Sequence, residues 1–293
     1  MTGNLRRLSL LGVKLRKSII FPLCLILLAS CAHASEPAPE FKIAATFYPV
    51  WLAAANITRG VEGVSLTLLT PHDAGCLHDH QLTPGELESV RGAELVLALG
   101  GAEGFLGRIK QAYPDIPLAE CGDGDEHSWV FVNDYIKMVN RAGSAIINAD
   151  PGRADDYESN LRLYLEDLSL LAQELNVGLV NLSASPVIMF HEGFESWSLA
   201  YGLNIAATVE SEPGAEPPPR DLADIIDMAN ETGVKALFVG PQYAGAAAHT
   251  VARETGVKIY ELDPVAGGSE SLDFYQKAMR QNVETVLAAL GHE

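Results

Sequence analysis

The sequence predicts an α/β protein of two lobes, each a parallel-type sheet flanked by helices, joined by one long linking helix. Three observations predict it. Short apolar runs alternate with polar, helix-compatible stretches through the first half. A single long amphipathic stretch at 151–177 breaks that alternation, and the alternation then resumes as far as residue 262. Strands that alternate with helices require crossover connections, and crossovers build parallel sheets with helices on both faces.

The elements follow in chain order. Residues 1–35 read as a signal peptide and tether. Arg6, Arg7, Lys14, Arg16 and Lys17 make a positive opening, and the apolar run 19–29 is too short for a comfortable membrane span. Leu28-Ala29-Ser30-Cys31 has the form of a lipobox, which implies a lipid anchor on Cys31. Ala32-His33-Ala34 offers a competing site whose cleavage would release a soluble periplasmic protein. Residues 36–150 are expected to form the first lobe, with strands at 42–47, 64–69, 95–99 and 116–119 and helices at 83–91 and 104–112. In the linking helix, 151–178, Tyr157, Leu161, Leu165, Leu168, Ala172 and Leu175 recur at steps of three and four. Residues 179–293 are expected to form the second lobe. Its strands fall at 187–190, 205–209, 236–239 and 258–262, its helices at 193–201, 220–231 and 244–254, and a last helix spans 274–290. One large mixed sheet with the long helix packed on a face is the competing architecture.

Charge narrows the function classes. The formal net charge is -18, and five of the 20 basic residues but none of the 38 acidic ones lie in residues 1–30, so cleavage there leaves -23. A surface this acidic repels phosphate backbones and anionic lipid heads, which argues against nucleic-acid partners and is compatible with cation traffic. Cys76 and Cys121 are the only cysteines beyond the signal region. In an oxidising compartment a disulfide between them is expected, with two buried free thiols or a thiolate metal ligand as the alternatives.

Seven histidines lie beyond the processing site. His78 precedes a helix that Pro84 would start. His127 follows the acidic, Gly-containing loop 122–126. His191 directly follows one apolar strand, and Asp263 directly follows another. Ligands of open parallel sheets bind beyond the carboxyl ends of the strands, and the separations of 49, 64 and 72 residues take two of these four from each side of the long helix. Three neutral imidazoles and a carboxylate suit four-coordinate zinc, whereas two imidazoles and two carboxylates lean toward manganese.

From about residue 41 to 289 the sequence resembles the metal-binding lipoproteins and periplasmic proteins of bacterial zinc and manganese ABC importers. His78-Asp79-His80-Gln81-Leu82-Thr83-Pro84 resembles the family's first ligand loop, and His127-Ser128-Trp129 its second ligand motif. His191-Glu192-Gly193-Phe194 with Tyr201-Gly202-Leu203 resembles the third. Glu212-Pro213-Gly214-Ala215-Glu216-Pro217, Pro241-Gln242-Tyr243 and Leu262-Asp263-Pro264 resemble later strand ends. The resemblance implies a solute-binding component, a monomer and not an enzyme. It would capture Zn2+ (with Mn2+ possible) on His78, His127, His191 and Asp263 and deliver it to an importer's membrane permease. His191 stands where the manganese branch has Glu, which favours zinc, and Glu192 beside it keeps manganese open. The long His-rich loop of many zinc importers is absent between His80 and His127. His80 is a spare ligand or a plain loop residue. Two readings from other classes compete: a zinc hydrolase, opposed by the closed four-ligand shell and the lack of an H-E-x-x-H pair, and an adhesin whose metal is structural.

Overall fold

The computed structural model describes residues 40–291 other than 73, 74, 76, 78, 79, 102, 180, 181, 183, 211–216 and 242–244, and without the side chains of 191, 192 and 210. Eight strands appear in two four-stranded sheets: β1 (Phe41–Ala45), β2 (Val64–Leu68), β3 (Leu95–Ala98) and β4 (Leu118–Glu120), then β5 (Pro186–His191), β6 (Asn204–Glu210), β7 (Ala236–Val239) and β8 (Lys258–Glu261). Every pairing is parallel. The first sheet has the order β2-β1-β3-β4 and the second the order β6-β5-β7-β8. The same topology is therefore built twice, and in each the strand order reverses at the first strand of the set, which opens a crevice beyond its carboxyl end.

Helices described in chain order are α1 (Tyr48–Thr58), α2 (Pro84–Ser89), α3 (Leu106–Ala112), α4 (Val132–Ala149), α5 (Ala154–Gly178), α6 (Glu195–Ala200), α7 (Pro219–Thr232), α8 (Ala246–Thr255) and α9 (Phe274–Leu290). Pro84 does open α2, where Thr83 and Glu86 form a reciprocal capping box. The long helix α5 has 25 residues, about 37 Å of rise. Asp155 and Asp156 sit in its first turn, where they favour the positive end of the helix dipole.

Two features at the junction go beyond the expected single helix. The 18-residue α4, whose Tyr135, Met138, Val139, Ala142 and Ile146 form a buried stripe, runs into α5 through the short turn Pro151–Arg153. In that turn Asp150 accepts from both Arg153 (2.7 Å) and Tyr157 (2.8 Å). Gly143 lets the two helices approach, because a Cβ there would lie 2.6 Å from Leu161. The last helix, α9, packs back on this hairpin: Tyr275 stacks on Tyr135 at 3.9 Å, and Arg280 makes three bonds of 2.8–3.0 Å to Glu174.

One hydrophobic core runs through both sheets, and a second lies on the outer face of the second sheet under α7 and α8. Period-two alternation divides the strands between them. Val187 and Met189 of β5 with Ala236 and Phe238 of β7 face the shared core, while Ile188, Phe190, Leu237 and Val239 face the outer one. The expected bridge between Cys76 and Cys121 is not supported. Cys121 is a free thiol, fully buried in the shared core, and burial pushes its pKa up to about 12. Its N–H continues the sheet by donating to Ala98 O at 2.7 Å, and its carbonyl accepts from Arg141 at 3.0 Å, so the residue serves packing. Cys76 lies outside the described residues.

Candidate metal centre

Of the residues proposed from sequence, His127, His191 and Asp263 lie at or beyond the carboxyl ends of strands in the two sheets. His78 lies outside the described residues. His191 is the last residue of β5, the central strand at which the second sheet reverses its order; only its backbone is described. His127 and Asp263 are described in full.

The His127 segment grows from β4. Beyond Glu120 the ladder continues as Cys121 and Gly122 donate to Ala98 and Leu99, each at 2.7 Å. Any Cβ at Gly122 would lie 2.5 Å from the Leu99 oxygen, so the close approach of the two chains demands glycine. The acidic loop then turns, and Asp125 Oδ1 accepts the His127 N–H at 2.9 Å. His127 is buried at the start of the 3-10 turn Ser128–Val130, its ring 5.4 Å from the ring of Trp129. Trp129 is fixed on three sides. Its indole N–H donates to Pro264 O at 2.7 Å, its carbonyl accepts from the Tyr275 hydroxyl at 2.8 Å, and Phe47 meets its ring edge-on at 4.9 Å. The indole bond ties the segment that carries His127 to the residue following Asp263.

Asp263 leaves β8 after the buried Leu262. The Asn282 side chain clamps its backbone, accepting the Asp263 N–H and donating to the Asp263 carbonyl, both at 2.8 Å. Oδ1 accepts the Val265 N–H at 2.7 Å. Val265 sits at φ 57°, a left-handed conformation that costs a β-branched residue free energy. Burial raises the Asp263 pKa, the Val265 N–H lowers it, and nearby Glu261 raises it again. A carboxylate buried under a negative neighbour gains from an incoming cation, which stabilises its ionised form.

Among the described residues no group of three or more His, Cys, Asp and Glu stands close enough to hold a metal, and those residues supply two of the four proposed ligands. Two other histidines sit near glutamates. His80 Nε2 lies 3.4 Å from Glu86 Oε1, and His72 Nε2 lies 3.8 Å from Glu270 Oε1, packed edge-on against Tyr48 and Trp51.

Sequence reasoning passed over Asn282, Asp125 and Trp129 as residues that hold the backbone of the candidate ligands His127 and Asp263 or pack beside them. Asn282 was legible in principle: it is a polar residue on the buried face of α9, among Tyr275, Ala278, Met279, Val283 and Val286. A polar side chain at an apolar period has a partner to find.

Comparison with known proteins agrees with this fold. The metal ABC transporter substrate-binding lipoprotein FimA of Streptococcus parasanguinis is 26% identical over 265 residues, spanning 80% of this chain and 86% of that relative. The manganese-binding lipoprotein MntA of Halalkalibacterium halodurans is 24% identical over 274 residues, 87% of this chain and 90% of its own. Among solved structures, the binding protein FpvC of P. aeruginosa in complex with Ni2+ superposes with a TM-score of 0.76 at 25% identity, covering 86% of this chain and 97% of that one. The family model described as zinc-uptake complex component A, periplasmic, matches residues 43–289. The chain belongs to that family, whose members are solute-binding proteins rather than enzymes.

Proposed function

We propose that the chain captures a divalent transition metal, zinc in preference to manganese, between its two lobes on His78, His127, His191 and Asp263, and hands it to the membrane permease of an ABC importer. The observation that carries this reading is the 2.7 Å bond from Trp129 to Pro264, which draws a ligand segment of the first sheet to a ligand segment of the second. Three imidazoles and one carboxylate close a tetrahedral shell at about 2.0–2.2 Å from zinc and leave no open position for a catalytic water. The lobes at 36–150 and 179–293 move little on binding in this reading, because α4, α5 and α9 pack across the junction. Cys31 carries a lipid that keeps the monomer at the outer face of the membrane. FimA and MntA are both named as lipoproteins, and no described helix is long and apolar enough to cross a membrane.

Manganese is the second reading, favoured by the name of MntA and by the carboxylate of Glu192 next to His191. Elemental analysis of protein purified without added metal decides between them, followed by competition between the two ions. The wild type is expected to hold about one zinc that equimolar manganese does not displace, and His191→Ala to hold far less. Displacement of zinc by manganese at comparable concentration refutes the zinc preference. Because an imidazole must be neutral to ligate, affinity falls as pH drops below about 6.5.

A further inference from the structure

Outside the ligand set, one carboxylate joins segments that belong to different sheets. Asp125 Oδ1 accepts the backbone N–H of His127 at 2.9 Å, and its Oδ2 accepts the hydroxyl of Ser196 at 2.8 Å. Ser196 lies in α6, the helix that follows His191 by only four residues. A second contact lies at the far end of the same two segments. Phe131, which closes the 3-10 turn after His127, meets the ring of Tyr201 edge-on at 5.9 Å, and Tyr201 rests on Trp197 of α6 at 5.0 Å. Residues 125–131 thus face residues 196–201 along their length, through a polar contact at one end and an aromatic contact at the other.

We propose that the Asp125–Ser196 hydrogen bond is a latch across the two halves that holds the second ligand segment against the helix following the third, and so slows departure of the metal. The proposal rests on the capture reading above and adds a positioning residue to it. Withdrawing His127 from His191 requires Asp125 either to part from Ser196 or to release the His127 N–H, since one carboxylate is bonded to both. Asp125 is exposed, so water can replace the bond once it breaks, and its effect on overall stability is small. That same small free energy acts directly on the release rate, because the metal leaves only when the two segments separate. A partner that docks on α6 and tilts it would break the bond without touching a ligand.

The test is release of zinc from the loaded full chain into excess fluorescent chelator, read by stopped flow. Ser196→Ala should release zinc about 2- to 10-fold faster, the range that one net hydrogen bond allows. Asp125→Ala should be faster still, because the His127 N–H is also set free. Asp125→Asn, whose amide keeps an acceptor for His127 and a donor for Ser196, should return the rate to near that of the wild type. The absorption spectrum of the cobalt-loaded Ser196→Ala protein should match the wild type, since no ligand has changed. Release from Ser196→Ala at the wild-type rate overturns the latch and leaves metal capture standing. A wild-type chain that holds neither zinc nor cobalt in stoichiometric amount overturns the capture reading, and the latch with it.

Discussion

The two sheets share one strand order, yet their carboxyl ends are built differently. At the end of the first sheet, Thr46, Thr70, Glu103, His127 and Ser128 are all buried polar groups. Thr46 bonds Leu97 and Glu103, Thr70 bonds Thr46, and the second oxygen of Glu103 accepts the Gly100 N–H at 2.7 Å. Among the described residues from β5 onward, only Ser198 of α6 and Asn282 of α9 are buried polar side chains, and the strands themselves divide their apolar side chains between two cores. The helix α7 that covers its outer face buries only Ala229. The first sheet is thus a fixed platform whose strand ends are locked by hydrogen bonds. In the second, the described lock is the Asn282 clamp on the Asp263 backbone beyond β8, and the outer layer has its own small core.

The largest expected effect tests whether the shared core is one cooperative unit. Trp129→Ala removes a fully buried indole and leaves Pro264 O without its donor, and should cost about 3–5 kcal/mol. Hydrogen exchange should then speed up in both sheets. Leu237→Ala, in the outer core, should cost about 2–5 kcal/mol and loosen β5–β8 while β1–β4 stay protected. Equal loss of protection in both variants would break the distinction between the two regions.

Glu103 sharpens the comparison next, since this carboxyl in the loop after β3 is buried, whereas Asp263, just after β8, is only partly so. Burial raises its pKa from 4.5 to about 7, against the lowering effect of its bonds to Thr46, Gly100 and Leu99, and nearby Glu120 raises it further. The folded chain therefore keeps a proton that the unfolded chain has lost. Stability from this group is full below about pH 4.5, declines as pH rises toward 7, and is flat above. The decline amounts to about 3 kcal/mol, an order-of-magnitude figure. Glu103→Gln should abolish that slope in urea unfolding measured from pH 4.5 to 8. A slope that survives the substitution assigns it to other groups.

Much of this organisation was legible from residue pattern, and the exceptions share a cause. All eight strands fall within a few residues of their expected positions, because short apolar runs between polar helices have one reading in a parallel sheet. The capping box at Thr83 and the helix at Pro84 follow from local chemistry alone. Helices α1 and α4 were missed. Helix α1 is apolar nearly all round and shows no polar face. Helix α4, although Tyr135, Met138, Val139, Ala142 and Ile146 carry its period, is hidden by the longer stripe of α5, which accounts for the junction without it. The return of α9 onto α4 and α5, the free state of Cys121 and the burial of Glu103 depend on which surfaces meet in space. No window of sequence states that. Of the candidate site, strand ends point to His127, His191 and Asp263, but the groups that aim them, Asp125, Trp129 and Asn282, act across 2 to 135 residues of chain.

Asn282 and Arg280 lie two residues apart on α9 and test what fastens the second half to the platform. Asn282 is buried and gives both its amide groups to the Asp263 backbone. Its replacement by Ala leaves a buried N–H and C=O without partners, which should cost about 2 kcal/mol or more. It should also weaken zinc binding by about 10-fold or more, as loss of a group that orients a ligand does. Arg280 is about half exposed and pairs with Glu174 of α5 through three short bonds, which hold the Glu174 carboxyl below its usual range. Its geometry is the better of the two, but water competes for both partners and salt screens them. Arg280→Ala should therefore cost less than about 1 kcal/mol and leave zinc affinity unchanged. Should Arg280→Ala destabilise the chain as much as Asn282→Ala, α9 would be fastened from its surface and not from its buried face, and the two halves would be joined by charge where burial is now assigned the role.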